Sequence, residues 1–377
     1  MQLLLGITLL LSAQNAKTNV SQKEIDTAIL KGSAYLKDAP SPGGHLKTNC
    51  DELILLTLVH AGASEKTYQK FLDSVLAAPL EHTYKVALLA MCLEEIDASK
   101  HQAKIAQCAQ FLVDNQAANG QWSYGRPTDA VKLIEDKSVA SGEAPKKKKG
   151  DVREFGAERE HKRPKTSYTI KQTRTVGEGG DNSNSQYAAL GLRACFDSNI
   201  KLPEEVLQKA RTWWVESQWP DESGSKLDKK AVASGGELPW IQGWNYQKPG
   251  AEGGPTHAMT AGAVGATVIY EYMLGRDWKK DKVTRAGVNW MGKHYSINEN
   301  YYYMYALERA GMLYGTETFG GHNWYLEGAR FLVDKQKADG SWGSRENKDE
   351  NTWDTCFAVL FLKKATRAIA TEGGKKN

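Results

Sequence analysis

The sequence contains few cysteines, and their arrangement excludes two common ways of stabilising a chain. Only five occur among 377 residues, widely separated: Cys50, Cys92, Cys108, Cys195 and Cys356. An odd number without close spacing does not match a disulfide framework or a zinc ribbon. Each lies in or beside an apolar helical segment, so we expect all five to pack as small hydrophobic side chains in a core.

The chain also lacks an apolar run of transmembrane length. The run Leu3–Leu11 is too short to span a bilayer. Followed by Ser-Ala-Gln-Asn-Ala, it is typical of a secretory signal peptide over residues 1–16, although the usual positive charge at the start is missing. We therefore expect an exported protein, periplasmic or extracellular, with no stable membrane span. The alternative is a first helix buried in the fold.

A strong charge of one sign and familiar catalytic motifs are absent as well. The net charge is only +4 because basic and acidic residues nearly balance, so no nucleic-acid partner is predicted. The sequence has no phosphate-binding loop, nucleophile elbow or His-Glu-x-x-His motif. Enzyme classes that depend on these motifs are therefore not indicated.

What the sequence does contain is a segment that occurs twice. Residues 111–122 read Phe-Leu-Val-Asp-Asn-Gln-Ala-Ala-Asn-Gly-Gln-Trp, and residues 331–342 read Phe-Leu-Val-Asp-Lys-Gln-Lys-Ala-Asp-Gly-Ser-Trp. Each copy predicts a helix end, a left-handed turn at Gly, a Gln amide that satisfies open backbone groups, and a Trp ring that covers the contact. A duplication of this length indicates a protein built from repeats.

The motif Gln-x-x-x-Gly-x-Trp resembles the repeat of squalene-hopene and oxidosqualene cyclases, and related helical repeats occur in protein prenyltransferase β-subunits. The resemblance implies an all-α fold of the α/α toroid type, in which an inner and an outer ring of helices surround a central cavity. Because repeats cover nearly the whole chain, we expect one domain over residues 22–370.

Hydrophobic periodicity predicts six helical hairpins, about twelve helices. They cover 24–36, 51–61, 66–76, 83–95, 104–116, 183–195, 203–218, 256–273, 279–293, 299–313, 324–336 and 353–368. Segments such as 187–192 and 357–362 are apolar nearly all round and are predicted to be inner, whereas 206–211 is amphipathic and predicted to be outer. Gln116 and Gln336 are each expected to reach toward an adjacent inner-helix end. A charged insertion at about 126–180 is predicted to be flexible. A Gly- and Trp-rich insertion at about 219–255 is predicted to form a lid or to pack on the fold.

Candidate site residues come from the starts of the predicted inner helices, which converge on one mouth of a toroid. Alignment of the repeats places Asn184, Glu299 and Asp354 at comparable first-turn positions. His82, His257 and Asp51 lie near the same level. Helix N-termini favour carboxylates or an anionic ligand. Capping is the alternative for each of these residues taken singly, because Asp and Asn are common at helix starts.

The match to the cyclases fails at the catalytic acid. Bacterial triterpene cyclases carry Asp-x-Asp-Asp-Thr-Ala, and residues 351–356 here read Asn-Thr-Trp-Asp-Thr-Cys. Asp354 and Thr355 are retained, but Trp353 replaces the protonating Asp. Because protonation of an alkene needs a strong, oriented acid, cyclisation by the family mechanism is not expected. Asp354 is the one candidate for a catalytic acid, with an N-cap as its alternative role.

Prenyltransferases bind zinc through Asp-x-Cys and a later His. Asp354 and Cys356 reproduce the first spacing, but no His follows, so His257 or His322 upstream would have to complete the site. Cys356 begins a buried helix face. We therefore predict a core cysteine, no metal and no cofactor, with this zinc set as the alternative.

The main hypothesis is an exported, non-cyclising repeat protein that binds an apolar, isoprenoid or extended polymer ligand in its central cavity. Its rivals are a terpenoid cyclase variant, a metal-dependent transferase, a polysaccharide lyase or hydrolase that uses Asp354 with Glu299, and a non-catalytic protein-interaction module. A cavity plugged by side chains would favour the module. Besides Asn184, His257 and Glu299, the cavity would be lined by aromatic residues: Tyr301, Tyr302, Tyr303, Tyr305, Trp353 and Phe357.

Overall fold

The structure, a computed structural model, describes residues 19–38, 50–134, 163–224, 239–343 and 348–369. These ranges contain twelve α-helices, none of which has the length and apolar character needed to cross a bilayer. The all-α prediction is confirmed. In chain order the helices are α1 (Gln22–Asp38), α2 (Asp51–His60), α3 (Glu65–Ala77), α4 (Thr83–Asp97), α5 (Gln102–Asp114), α6 (Asn182–Asp197), α7 (Glu204–Glu216), α8 (His257–Met273), α9 (Lys282–Lys293), α10 (Tyr301–Tyr314), α11 (Trp324–Lys335) and α12 (Lys348–Leu362).

Extended structure in the described ranges is limited to two short strand pairs. The first is parallel and the second antiparallel: β1 (Tyr168–Thr169) with β2 (Ile200–Lys201), and β3 (Thr318–Phe319) with β4 (His322–Asn323). One 3-10 helix covers Asp129–Leu133. The β1–β2 pair fastens the segment before α6 to the turn after α6, so that segment lies along the helical body.

The even-numbered helices pack side by side. α2 contacts α4, and the series continues through α6, α8 and α10 to α12. α12 also contacts α2, so the series of contacts returns to its first member. The odd-numbered helices lie beside this series. α5, for example, packs on α4 and α6, whereas α1 contacts α11, α12 and α2.

The sequences explain the difference between the two sets. Every residue of α2 is buried, as are all residues of 187–192 in α6 and 357–362 in α12. A helix that is apolar all round is stable only when other elements surround it. The odd-numbered helix α7 instead buries one face, including Val206 and Trp213, and exposes Glu204. All five cysteines are buried and free, which confirms their predicted core role.

The even-numbered helices begin at one end of the molecule, which we call the N-terminal face. Tyr302 Oη in the first turn of α10 lies 3.3 Å from Ser183 Oγ in the first turn of α6. At the start of α8, the His257 ring packs 5.3 Å from the ring of Tyr303 in α10. First-turn side chains of different helices therefore meet at this face.

The opposite end is crossed by the C-terminal segment, residues 363–369. Arg367 forms ion pairs with Glu94 at the end of α4, at 2.8 Å, and with Asp197 at the end of α6, at 2.7 Å. The buried Glu308 carboxylate accepts hydrogen bonds from the Thr366 N–H and Oγ1 at 2.9 and 2.7 Å. The segment therefore ties α4, α6 and α10 together at the end where these helices finish.

The described ends of the charged insertion are bound to α5. Thr128 Oγ1 and Thr173 Oγ1 both donate to the Asp114 carboxylate at 2.9 Å, and Gln110 Nε2 donates to the Lys171 carbonyl at 2.8 Å. The prediction of flexibility now concerns only residues 135–162, and these lie outside the described residues. The predicted signal peptide and residues 225–238 of the second insertion also lie outside them.

Candidate functional site

Three buried tryptophans join the even- and odd-numbered helices in the same way. Each indole N–H donates to a carbonyl of the preceding odd-numbered helix, at 2.7–2.9 Å. Each backbone N–H donates to a side-chain hydroxyl near the start of an even-numbered helix. These bonds are all 3.0 Å long and join Trp122 to Ser185, Trp244 to Thr260, and Trp342 to Thr355. The repeated motif is therefore a structural junction that joins each of these odd-numbered helices to the N-terminal part of the next even-numbered helix.

Trp244 belongs to a third copy of the motif that the sequence comparison did not identify. Its glutamine, Gln218, is separated from it by the second insertion. Gln218 Nε2 donates to the Val283 carbonyl in α9 at 2.9 Å. The sequence signal of this third copy is short. It consists of an amphipathic helix that ends in Gln and of a separate Gly-Trp pair later in the chain. The second insertion therefore interrupts a repeat.

The motif glutamines bind the next odd-numbered helix. Gln116 Nε2 donates to the Val206 carbonyl in α7, and Gln336 Nε2 donates to the Ala28 carbonyl in α1, both at 2.8 Å. Our expectation that they reach an inner-helix end was wrong. The physical reason is that the turn after each glutamine lies against the neighbouring odd-numbered helix.

The motif glycines make this close approach possible. Gly120 has φ +93°, and a Cβ there would lie 2.4 Å from the Lys209 carbonyl oxygen in α7. Gly340 has φ +88°, and its Cβ would lie 2.5 Å from the Lys31 carbonyl oxygen in α1. Only glycine combines a left-handed conformation with room for a backbone neighbour.

Two copies of the motif also place an exposed tyrosine on the N-terminal face. The Tyr124 carbonyl accepts a hydrogen bond from the Thr83 N–H at the start of α4, at 2.6 Å. The Tyr246 carbonyl accepts one from the Asn182 N–H at the start of α6, at 3.0 Å. The two residues are 64% and 50% exposed. Neither was predicted as a site residue. The sequence signal is Trp-x-Tyr, at 122–124 and 244–246.

Side chains fill the centre between α6, α10 and α12. The Arg309 guanidinium is 4.3 Å from the ring centroid of Tyr305 and 5.4 Å from that of Tyr187. Its Nη2 donates to Gln186 Oε1 at 2.8 Å. Phe357 stacks on Tyr305, with 6.0 Å between centroids. Tyr305 and Phe357, which we expected to line an open cavity, therefore belong to a packed centre.

The three consecutive tyrosines of α10 have different surroundings. Tyr301 and Tyr303 are buried, and burial raises the pKa of Tyr301 to about 12. Tyr302 is half-buried, and its Oη accepts a hydrogen bond from Gln186 Nε2 at 2.8 Å. Tyr302 therefore connects the packed centre to the N-terminal face.

Asn184 and Asp354 occupy equivalent positions in two repeats, as predicted. Each immediately precedes the hydroxyl residue that binds a motif tryptophan. Asn184 is 5% exposed, and its Nδ2 donates to Asp181 Oδ2 at 2.8 Å. Its Oδ1 has no hydrogen-bond partner among the described residues. Asp354 is half-buried, as is the neighbouring Trp353.

Asp354 is not a helix cap, which corrects one predicted role. α12 begins at Lys348, five residues before the predicted start, so Asp354 lies in the second turn. The next residue, Thr355, donates its hydroxyl to the Asn351 carbonyl, an i to i−4 bond formed inside helices. The polar segment 348–352 has no apolar periodicity, and for that reason its helix was not predicted.

Glu299 and His257 each contact a neighbouring element. Glu299 lies outside α10 and pairs with Lys335 at the end of α11, with 2.5 Å between Oε1 and Nζ. His257 Nε2 lies 2.7 Å from the His294 carbonyl oxygen. The predicted first-turn position therefore holds for Asn184, whereas Asp354 lies in the second turn of α12 and Glu299 lies before the start of α10.

The predicted zinc ligands are engaged in other contacts. Cys356 is fully buried, and this burial raises the pKa of its thiol to about 12, which disfavours the thiolate that zinc needs. His322 stacks on Tyr295 with 4.3 Å between centroids, and its Nδ1 lies 3.3 Å from Glu327 Oε1. In the described part of the chain, no group of three or more His, Cys, Asp or Glu residues could hold a metal ion.

Comparison with known proteins assigns no family to the chain. No protein-family model matches it, and no curated protein is significantly similar to it. The resemblance to the cyclase and prenyltransferase repeats therefore rests on the motif residues themselves.

Proposed function

We propose that the chain is an exported repeat protein with the α/α toroid architecture of the terpenoid cyclases and prenyltransferases, and that it binds an extended ligand across the N-terminal face. The even-numbered helices would form the inner ring and the odd-numbered helices the outer ring. The series of contacts that runs from α2 to α12 and back to α2 supports this arrangement. The three equivalent tryptophan junctions support it as well.

The observation that carries the binding function is the pair Tyr124 and Tyr246. Single exposed aromatic residues are common on protein surfaces and need no explanation. Two exposed tyrosines at equivalent places in a repeat, beside the half-buried Tyr302, are a different case. Tyrosine provides a large contact area at a low cost in conformational entropy, which suits it to recognition.

The packed centre favours a ligand that lies across the face over one enclosed inside the ring. A ligand at the centre would have to displace Arg309 from the rings of Tyr187 and Tyr305. Moving a buried guanidinium away from its cation–π and hydrogen-bond partners is costly. The extended polymer of our main hypothesis therefore fits better than an enclosed isoprenoid.

The surroundings of Asp354 favour binding over cyclisation. Trp353 stands in the place of the cyclases' protonating acid. Asn351 stands in the place of the motif's first Asp, so only one of its three carboxyl groups is retained, whereas protonation of an alkene needs a strong, oriented acid. A non-catalytic protein-interaction module is the second candidate, favoured by the same packed centre, and an extended polypeptide would then occupy the face.

Native mass spectrometry of the protein purified from its own host tests the proposal. We expect wild type to retain a co-purified ligand and the double variant Tyr124→Ala/Tyr246→Ala to lose it. A matched control is Leu30→Ala/Leu326→Ala, which removes two exposed apolar side chains from the odd-numbered helices α1 and α11 and should keep the ligand. Retention of the ligand by the tyrosine variant would contradict the proposed face. A co-purified polypeptide would favour the interaction module.

A further inference from the structure

We infer that the ligand of the N-terminal face is a neutral polysaccharide, an inference that rests on the proposed function. The first indication is the unpartnered oxygen of Asn184. Tyr187 lies three residues later on the same helix face, and its ring stacks 6.3 Å from the ring of Tyr302. Gly191, seven residues later, packs on Ala87 of α4. Asn184 therefore lies on the face of α6 that carries Tyr187 and Gly191, one turn nearer to the N-terminal face than Tyr187.

An oxygen that is buried and unpaired calls for a ligand with a hydrogen-bond donor. Asn184 Oδ1 accepts hydrogen bonds and cannot donate them, and no described residue supplies a donor. A ligand donor that bonds to this oxygen strengthens binding roughly tenfold, since a buried acceptor without a partner is unfavourable.

Nearby groups call for a ligand that both donates and accepts. Ser183 Oγ and Tyr302 Oη bond to each other at 3.3 Å, and Tyr302 Oη also accepts from Gln186 Nε2, so together they keep one donor and two acceptor positions. At the start of α4, the half-buried His82 has a ring Nδ1 without a partner among the described residues. Ligand hydroxyl groups meet all of these requirements, whereas a hydrocarbon meets none.

The exposed tyrosines add apolar platforms to these polar groups. The face of an aromatic ring carries partial negative charge and attracts C–H groups, which line the flat faces of sugar rings. Tyr124 and Tyr246 stand over α4 and α6, and neighbouring packed helices are about 8–10 Å apart. Two equivalent platforms at this spacing suit a chain of repeating units.

The charges at the face favour a neutral chain. Six helix N-termini with roughly half a positive charge each supply about three positive charges. Among the described side chains within two residues of these starts, the acidic ones are those of Asp51, Glu52, Glu81, Asp181 and Glu299, and Lys85 and Lys335 pair with Glu52 and Glu299. The two contributions nearly cancel, so the face has no strong preference for an acidic or a basic polymer.

Affinity gel electrophoresis of the full chain tests the inference, with hydroxyethylcellulose, xylan, mannan and laminarin as neutral probes and alginate as an acidic one. We expect at least one neutral polymer to retard wild type, with apparent affinity about tenfold weaker in Asn184→Ala and at least as weak in Tyr124→Ala/Tyr246→Ala. Leu30→Ala/Leu326→Ala should be retarded like wild type. Melting temperatures of all variants identify any folding defect. If Asn184→Ala is misfolded, Tyr302→Phe takes its place in the comparison, because it keeps the ring and removes only the hydroxyl.

Three outcomes would overturn the inference: no retardation by any neutral polymer, stronger retardation by alginate, or equal retardation of wild type and the tyrosine variant. Failure of the inference differs from failure of the proposed function. If the tyrosine variant releases a co-purified lipid or peptide, the proposed binding face is supported and the inference of a polysaccharide ligand is wrong. If the variant keeps every co-purified ligand, the proposal that the N-terminal face binds the ligand is wrong.

Discussion

The motif tryptophans show how single residues hold this fold together. Trp122 and Trp342 are 0% exposed, and each donates two hydrogen bonds that join an odd-numbered helix to an even-numbered one. We expect Trp122→Ala and Trp342→Ala each to lower the free energy of unfolding by about 3–5 kcal/mol, because a large cavity and unpaired backbone groups remain. Urea denaturation measures this loss. The half-buried Trp240 provides a control that should lose less, and a loss below about 1 kcal/mol at the motif positions would contradict the junction.

The motif glycines lead to a second prediction. Gly120→Ala and Gly340→Ala combine a left-handed backbone with a clash against a carbonyl oxygen, and should cost about 2–5 kcal/mol in unfolding free energy. Gly275 is a matched control, because its φ is +68° and no atom lies within 4 Å of the added Cβ. Gly275→Ala should cost only about 1–2 kcal/mol. Equal losses at all three positions would show that the close approach does not matter.

At the scale of elements, the sequence predicted the helices well wherever hydrophobic periodicity is continuous. The buried segments 187–192 and 357–362 were identified because they are apolar all round. The first turns of α12 were missed because residues 348–352 are polar and show no such periodicity. The third motif was missed because an insertion separates its two halves.

The candidate site was harder to predict than the helices, for a physical reason. Tyr124 and Tyr246 lie outside the helices, where one exposed aromatic residue produces no periodic pattern. Arg309 lies within an apolar helix, and nothing local to the sequence shows that Tyr187, more than a hundred residues away, provides its aromatic contact. Predicting contacts of this kind requires the fold, which the repeats indicate only coarsely.

The C-terminal segment gives stability a dependence on pH through Glu308. This carboxyl is fully buried, and burial raises its pKa from 4.5 to about 7. The folded state therefore holds the proton more tightly than the unfolded state does. The resulting stabilisation is fully present below about pH 4.5 and is lost as the pH rises towards about 7.

We expect Glu308 to contribute up to about 3 kcal/mol to this fall in unfolding free energy between pH 4.5 and pH 7. Glu308→Gln, which stays neutral, should show a smaller fall. Burial also raises the pKa of Glu52 to about 7, so part of the fall persists in the variant. Urea denaturation at several pH values measures the difference between the two proteins. Parallel curves for both proteins would exclude Glu308 as the source.

For the whole molecule, the proposed closed ring and an open array differ in what truncation would do. Removing the last repeat from an open array leaves the remaining repeats folded. In a closed ring, truncation after Asn323 would remove α11 and α12 and expose the apolar flanks of α2 and α10 together. We expect the truncated chain to lose cooperative unfolding and to aggregate, as measured by circular dichroism melting and size-exclusion chromatography. A monomeric truncated chain with a cooperative transition would contradict the toroid.

The contact between the first and last helices also affects how the protein is made. Gln336 bonds to Ala28 across 308 residues of sequence, and Arg330 pairs with Glu24 at 3.0 Å. At roughly 5–20 residues per second, a ribosome needs about 15–60 s to make the intervening chain. Throughout that time α1 can contact α2 but not α11 or α12, which have not been synthesised. If the chain is exported, as we propose, this late pairing of its two ends would keep it unfolded enough for translocation until its last helices are translated.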